Sequence, residues 1–271
     1  MDLAAKARVF EGLHAAPGAF VIANAWDGAS ARVLAAQGFK ALATSSGAAA
    51  ATLGRVDGRL TRDEALAGAQ VIVSSTHLPV SADLEKGFGD DPSTVAETIR
   101  RAAAIGLAGG SIEDATGDPA HPLFDEAHAV ERVAAAVQAA RALPHRFLLT
   151  ARCENYLRGR PDLDATVRRL QAYERAGADV LFAPALPDLD AIRTVCREVK
   201  QPVNFMAGIP GKSFSVAELV DAGVKRISLA GSLYRSAMTA LVAAAREVRD
   251  QGTFGYLDAS MSTRELNDLL S

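Results

Sequence analysis

The sequence contains little cysteine. Among its 271 residues there are only two, Cys153 and Cys196, and they form no CxxC pair. Neither has a histidine nearby at the spacing that metal ligands need. The pattern therefore indicates neither a disulfide framework nor a structural zinc site, and we expect both cysteines to be buried thiols.

The sequence also lacks an excess of charge and any long hydrophobic run. The formal net charge is -3, which argues against nucleic acid and anionic membrane surfaces as partners. No stretch approaches the roughly 18 apolar residues of a membrane span, and residues 1–18 lack the apolar core of a signal peptide. We expect a cytoplasmic protein that binds a small molecule.

No linker rich in proline, glycine or serine divides the chain, and no low-complexity segment occurs. With 49% hydrophobic and 23% charged residues, a chain of this length can bury a substantial core. We predict one domain over residues 1–250, followed by a tail over residues 251–271.

What the sequence does contain is an alternation of short apolar runs with longer stretches of helical period. The predicted strands are 20–25, 41–46, 79–85, 109–114, 147–154, 180–185, 202–208 and 226–231. Several of the intervening helices end in an Ala-x-Gly element, where glycine supplies a left-handed cap. Eight such units favour a (β/α)8 TIM barrel, with a doubly wound open sheet as the alternative.

The tail has a helix signal of its own. A helix is predicted to begin at Ser262 or Thr263, and its apolar stripe consists of Leu266, Leu269 and Leu270. This stripe is too small to stand alone, so we expect the extra C-terminal helix to dock on the barrel or on a neighbouring subunit. A homo-oligomer is therefore plausible.

Acidic residues follow several predicted strands, at the end of a barrel that carries the active site. Asp83 and Glu85 alternate along one predicted strand and should share a face. Glu113 ends the next strand, and Asp57 lies in the loop after the second. Three or four carboxylates that converge at a barrel mouth suit Mg2+. The alternative is that each caps a helix or is solvated in a loop, which we favour for Asp90, Asp91 and Asp114.

Other side chains near strand ends could contact a substrate. A buried Arg152 would need an anion, either one of these acids or a substrate carboxylate. Trp26 could wall the pocket, and Asn204 could face either side of its strand. His121 could protonate a reaction intermediate, although an exposed loop histidine is the simpler interpretation.

The strings ATSSG, ADLEKGFG, SIED and LTAR occur in this order over nearly the whole predicted barrel. Through this ordered set of strings the sequence resembles the isocitrate lyase/phosphoenolpyruvate mutase superfamily. The resemblance implies Mg2+, with Mn2+ as a substitute, held chiefly by Asp83. It implies that Asp57, Glu85 and Glu113 act mostly through metal-bound waters.

The resemblance also assigns roles around a pyruvyl unit. Arg152 would grip the substrate carboxylate, and the turn Ser46, Gly47 and Ala48 would contact the oxyanion of an enolate left after a bond to C3 breaks. Members of this superfamily tend to form tetramers with C-terminal helices exchanged between subunits, which would account for the tail.

One loop departs from the superfamily's best-known members. Isocitrate and methylisocitrate lyases carry a Lys-(Lys/Arg)-Cys-Gly-His loop after the acid that matches Glu113, but residues 115–128 contain neither Cys nor Lys. Phosphonate-processing members place Lys and Asn, or Thr, in this loop to handle the phosphoryl group; residues 115–128 contain no Lys, Arg or Asn, although Thr116 and His121 remain candidates. A decarboxylase of the oxaloacetate type or a small C–C lyase therefore fits best, with C–P chemistry as the alternative.

Two interpretations of another class stay open. Glycine-rich segments at 207–213 and 230–232, together with Lys212, would suit a metal-free, phosphate-binding barrel. The acids would then have no role. The fold could also serve assembly without catalysis.

Overall fold

A computed structural model describes residues 2–271 and arranges their eight strands as a closed, all-parallel barrel. Each strand pairs with the next, and Phe20 on the first is in register with Arg226 on the last. The strands β1 to β8 are Phe20–Asn24, Leu42–Ala43, Val80–Asp83, Gly109–Glu113, Leu148–Arg152, Val180–Phe182, Val203–Met206 and Arg226–Ser228. Closure confirms the predicted TIM barrel and excludes the open sheet.

Helices surround the barrel, and their first residues explain where they begin. Asp27, Thr61 and Ser215 cap helices through reciprocal side-chain bonds to the third residue of the helix. The helices α1 to α11 are Leu3–Ala15, Gly28–Ala36, Ser46–Thr52, Arg62–Ser75, Pro92–Ala104, Glu126–Arg141, Leu163–Arg175, Leu189–Glu198, Val216–Asp221, Ser232–Gln251 and Thr263–Leu270, with a 3-10 turn at Gly255–Ala259.

Glycines end several of the helices as predicted. Gly38, Gly106, Gly177 and Gly223 all have positive φ angles, between 86° and 100°. This left-handed conformation turns the chain toward the next strand, and a side chain would strain it.

The amino-terminal end of the barrel is closed by apolar residues. Phe10 on α1 packs beneath the strands against Ile22 and Leu148. Higher in the interior the side chains become polar, and Thr150 and Asn204 are both buried there. The space available to a ligand therefore lies at the carboxyl end, where the active site of this fold is expected.

The C-terminal helix begins where the sequence predicts. Ser262 caps α11 in a reciprocal bond pair with Glu265. The helix docks on α2 of the same chain, where Arg32 Nη1 donates to the Leu270 carbonyl oxygen at 2.6 Å. The preceding α10 has no buried residue in the single chain, so exchange of these helices between subunits stays a prediction.

Among residues 2–271, no helix is both long and apolar enough to cross a membrane. Cys153 is buried as expected, whereas Cys196 is only half-buried.

Candidate active site

Asp83 occupies the last position of β3, and its environment fixes it firmly. Its backbone N–H donates to Thr44 Oγ1 at 2.9 Å. Its carboxylate accepts from the backbone N–H groups of Ser46 at 3.3 Å and of Glu85 at 3.2 Å. Asp83 therefore joins the ends of β2 and β3 and keeps its carboxylate at the barrel mouth.

The expectation that Asp83 and Glu85 share one face of a strand is wrong. β3 ends at Asp83, and Glu85 has a φ angle of +50°, in the left-handed region. The chain turns there because the Glu85 carbonyl accepts from the Glu113 N–H at 3.0 Å and the Gly87 N–H closes on Leu84. Glu85 therefore lies in the turn after β3 and not on a strand face beside Asp83.

Glu85 nevertheless stays within the electrostatic reach of the other acids. Burial, together with the negative charges of Asp83 and Asp57, raises its pKa to about 7. Arg152 and Lys86 act in the opposite direction. A carboxyl group in such surroundings ionises readily only when a nearby positive charge compensates for it.

Arg152 lies among the acids. Register pairs it with Glu113 on β4. Its Nη1 is 3.3 Å from Asp83 Oδ1 and 3.4 Å from Glu113 Oε2, and its side chain is only 11% exposed. The buried arginine that the sequence indicated therefore has internal anions as partners.

The sequence analysis missed Glu154, which is fully buried beside Arg152. Its Oε1 accepts from Arg152 Nη2 at 2.8 Å and from Arg152 Nε at 3.2 Å. Arg158 Nη2 approaches its other oxygen at 3.2 Å. The signal was available, since Glu154 follows Arg152 by two residues and alternation predicts a shared face. Glu154 fixes one edge of the Arg152 guanidinium, while Nη1 contacts Asp83 and Glu113.

We call Asp83, Glu85, Glu113 and Glu154 the acid cluster. Burial alone would lower the pKa of Arg152, but Glu154, Glu113 and Asp83 outweigh it and raise this pKa. Burial also raises the pKa of Glu113, against the pull of Arg152. Since carboxylates outnumber arginines here, a divalent cation would relieve their mutual repulsion.

The donor set fits a hard, hydrated cation. Among residues 2–271, no three His, Cys, Asp or Glu side chains form a ready-made cage for an ion. Mg2+ is often held by one or two carboxylates and keeps several of its waters. An all-oxygen donor set suits that ion better than zinc.

The turn Ser46, Gly47 and Ala48 begins α3, which Ser45 caps. A Cβ atom at Gly47 would lie 3.3 Å from Asp57 Oδ2. The structure therefore brings the Asp57 carboxylate next to this turn, on the side of the mouth that faces Asp83.

A cavity of about 460 Å3 opens at this end of the barrel. The predicted site residues that line it are Ser46, Gly47, Ala48, Asp57, Asp83, Arg152 and Asn204. Its apolar walls include Leu157, Phe182, Met206 and Tyr234. Two arginines that the sequence analysis did not identify, Arg226 and Arg235, also line it. The cavity is thus partly apolar and strongly charged, as a site for a small carboxylic acid should be.

Trp26 lies one layer behind this cavity. Its ring packs edge-on against Tyr234, with centroids 5.4 Å apart, and Tyr234 forms the wall itself. Trp26 also lines a smaller adjoining pocket together with Glu85.

His121 lies in the loop after β4 and is not among the residues that line the cavity. Its side chain is 85% exposed, and its Nδ1 is 3.3 Å from Asp118 Oδ2. A short antiparallel bridge between Ala115 and Leu123 holds the base of the loop.

The expectation that Asp114 caps a helix or is solvated in a loop is wrong, since Asp114 is 2% exposed. It accepts from Tyr173 Oη at 2.6 Å and from Arg169 Nη1 at 3.0 Å. Its other oxygen accepts from the Glu154 N–H at 2.8 Å. Asp114 therefore supports the backbone that carries Glu154. Asp90, by contrast, forms an exposed ion pair with Lys86.

Comparison with known proteins shows the family to which the chain belongs. Residues 10–249 match the family model described as phosphoenolpyruvate phosphomutase. The 2-methylisocitrate lyase of Shewanella oneidensis is 31% identical over 237 residues, which cover 84% of this chain and 80% of that enzyme.

Solved structures extend the comparison. A Burkholderia cenocepacia J2315 protein that carries the general description lyase/mutase is 52% identical, with a TM-score of 0.96 over 98% of this chain and 96% of that one. A 2,3-dimethylmalate lyase is 29% identical, with a TM-score of 0.87 over 99% of this chain and 94% of that one. The chain therefore belongs to the phosphoenolpyruvate phosphomutase family, within the isocitrate lyase/phosphoenolpyruvate mutase superfamily of lyases and mutases.

Proposed function

We propose that this protein is a divalent-metal-dependent carbon–carbon lyase that acts on a small 2-oxo or 2-hydroxy carboxylic acid through a pyruvyl enolate. The observation that carries the proposal is the acid cluster around Arg152, of which Asp83 lines the cavity together with Arg152 itself. The printed names of two relatives, 2-methylisocitrate lyase and 2,3-dimethylmalate lyase, agree with this reaction class.

In this proposal Asp83 holds Mg2+, or Mn2+ in its place, while Asp57, Glu85 and Glu113 contact waters of the ion. When bound, the ion would supply positive charge beside the substrate oxygen on which negative charge develops. Burial and mutual repulsion raise the pKa of Glu85 and burial raises that of Glu113, and a bound cation would offset this and favour their ionised forms.

The protein's own groups orient the substrate. Arg152 lines the cavity, and Glu154 occupies its Nε and Nη2, so Nη1 is the atom that would exchange its contact with Asp83 for a substrate carboxylate. Within residues 2–271 the Gly47 N–H has no hydrogen-bond partner and can donate to an oxyanion. Ser46 and Ala48 flank that donor.

The loop after β4 favours decarboxylation or a small retro-aldol cleavage. Residues 115–128 contain neither Cys nor Lys, so a thiol acid is missing from this segment. Loss of CO2 needs no general acid on the leaving group. His121 is the proposed proton donor to the enolate, and it must move inward with its loop to act, because its side chain is exposed.

The alternative within the family is C–P chemistry of the phosphonomutase or phosphonopyruvate hydrolase type, which the family description itself favours. Against it, Thr116 Oγ1 donates to the His121 carbonyl and is engaged inside the loop. A metal-free phosphate barrel is weaker still, since Lys212 Nζ donates to the Ala185 carbonyl at 3.2 Å.

Calorimetric titration with Mg2+ and Mn2+ tests the metal site. We expect binding by the native chain and its loss in Asp83→Ala. Asp164→Ala is the matched control, because Asp164 is an exposed acid on α7 that is not part of the acid cluster. No binding by the native chain, or equal binding by Asp83→Ala, would contradict the proposal.

A Mg2+-dependent screen of oxaloacetate, substituted malates, methylisocitrate and phosphonopyruvate, scored for pyruvate release, tests the reaction. Release from oxaloacetate or a substituted malate is expected. Highest activity on methylisocitrate would show that the loop argument is wrong, and highest activity on phosphonopyruvate would favour the C–P alternative.

A further inference from the structure

Arg226, the first residue of β8, turns its side chain into the barrel interior and is only 5% exposed. Its Nε donates to Asn204 Oδ1 at 2.7 Å, and its Nη2 donates to Thr150 Oγ1 at 3.0 Å. Its Nη1 is 3.5 Å from His14 Nε2. We call Arg226 with these three partners the floor.

Every partner of Arg226 in the floor is neutral. His14 Nδ1 lies 2.8 Å from the Phe10 carbonyl, which places the proton on Nδ1 and leaves Nε2 to accept from Arg226. Burial and the charge of Arg226 lower the pKa of His14 to about 3, so His14 stays uncharged. Within residues 2–271, no Asp or Glu forms an ion pair with Arg226, unlike Arg152.

A buried arginine without a counter-charge is costly, because the protein replaces its lost hydration only in part. Burial lowers the pKa of Arg226 to about 9 without any opposing carboxylate. An anionic group beside its guanidinium would supply the missing charge.

The cavity at the barrel mouth reaches the floor. Arg226 lines the same cavity as Asp83 and Arg152. The interior of this fold is usually filled by layers of bulky, branched side chains. Here Ser81 and Ser111 line the interior instead, and their small side chains leave open the path from the acid cluster down to Arg226.

We propose that Arg226 forms a second anion subsite, which takes the far carboxylate of a dicarboxylic substrate whose first carboxylate lies at Arg152. This inference rests on the proposed function and narrows its substrate class from carboxylic acids to dicarboxylic acids. Asn204 assists by fixing the Arg226 guanidinium, and its own amide is held by Ser228 Oγ at 3.0 Å.

Two matched ligands test the subsite. Malate and 2-hydroxybutyrate share one carbon chain and differ in the terminal group, a carboxylate in malate and a methyl in 2-hydroxybutyrate. In calorimetry with saturating Mg2+, the native chain should bind malate about 10-fold or more tightly than 2-hydroxybutyrate, since the added pair is charge-assisted and buried.

Arg226→Gln should bring the two affinities close together by weakening malate alone. Arg226→Lys, which keeps the charge, should retain part of the preference. Arg160→Gln is the control, because Arg160 is exposed and should leave both affinities unchanged. Thermal unfolding shows whether each variant is folded. If Arg226→Gln does not fold, the comparison of the two ligands is made with Arg226→Lys instead.

Inorganic phosphate and chloride separate a substrate carboxylate from a free anion at the same place. We expect phosphate and chloride to compete with malate for the native chain but not with 2-hydroxybutyrate. If phosphate instead binds the native chain together with malate and loses affinity in Arg226→Gln, the subsite holds a free anion and the inference is wrong.

The failures of the two proposals can be told apart. Absence of binding for both ligands, with Asp83→Ala unchanged in Mg2+ titration, would overturn the proposed function and this inference with it. Equal binding of both ligands by the native chain, unaltered in Arg226→Gln, would overturn the Arg226 subsite alone.

Discussion

Two buried arginines lie in one barrel in opposite surroundings. Arg152, at the mouth, is within ion-pair distance of Asp83, Glu113 and Glu154. Arg226, in the floor, has only an amide, a hydroxyl and an imidazole as partners. The pKa of Arg152 is raised by its carboxylates, whereas burial lowers that of Arg226 to about 9.

The difference between the two arginines indicates which ligand charge each end of the cavity can bind. At the mouth the protein supplies more negative charge than Arg152 can neutralise, so the mouth suits a cation. In the floor it supplies a cation and no anion, so the floor suits a carboxylate. A substrate that carries negative charge and binds beside a metal ion would satisfy both ends.

The largest effect is expected for removal of Arg152. Arg152→Met leaves buried carboxylates without their partner and should lower the free energy of unfolding by about 3–5 kcal/mol. Arg226→Met removes an isolated charge and leaves only neutral groups unpaired, so it should cost about 1–2 kcal/mol. Urea denaturation measures both, and equal losses would break the comparison.

Removal of the charge at Glu154 should have the next largest effect. Glu154→Gln keeps the shape but weakens two bonds to Arg152 and one contact to Arg158, so we expect a loss of about 2–3 kcal/mol in unfolding free energy. Glu97→Gln is the control, since Glu97 forms an exposed pair with Arg100 and such pairs contribute at most about 1 kcal/mol. A loss at Glu154 no larger than at Glu97 would show that burial does not strengthen the pair.

The barrel could be predicted because its signals are local. The glycine caps, the helix starts and the short apolar strands each lie within a few consecutive residues, as at Thr61, which begins a helix, and Gly106, which ends one. Acids after strands could also be anticipated, because every strand of a parallel barrel ends at the same mouth. Asp83 and Arg152 meet there for this reason.

The parts that could not be predicted depend on contacts between distant segments. The position of Glu85 depends on the strand that contains Glu113, and the burial of Asp114 depends on Tyr173, far along the chain. Arg226 looked like an ordinary strand-start residue, since no local pattern indicates that its side chain crosses the barrel to Thr150. The period of a sequence pattern indicates which face of a strand or helix a side chain lies on, but it does not indicate which distant residue the side chain contacts.

A pH titration of stability sharpens the floor's side of the comparison. Burial, with Arg226 second, lowers the pKa of His14 from its ordinary 6.5 to about 3. His14 is therefore protonated in the unfolded chain but neutral in the folded chain between these two pH values. The free energy of unfolding falls as the pH falls from 6.5 toward 3.

At pH 5 this loss amounts to about 2 kcal/mol, from about 1.4 kcal/mol per pH unit. His14→Gln cannot bind that proton, so its unfolding free energy should fall less than that of the native chain between pH 7 and pH 5. Urea denaturation at both pH values measures the difference, and parallel slopes would mean that His14 is charged in the folded chain.

The smallest effect is expected at Thr150, whose hydroxyl accepts from Arg226 Nη2 at 3.0 Å. Thr150→Val is close to isosteric and leaves one guanidinium N–H unpaired, which should cost about 1 kcal/mol in unfolding free energy. Thr150→Ser keeps the hydroxyl and separates this loss from that of a methyl group. If Arg226 binds a substrate carboxylate, saturating malate and Mg2+ should reduce the loss of unfolding free energy caused by Thr150→Val. The reason is that the malate carboxylate then accepts from the Arg226 N–H that Thr150 no longer pairs. A loss that malate leaves unchanged would mean that the guanidinium is held by the protein alone.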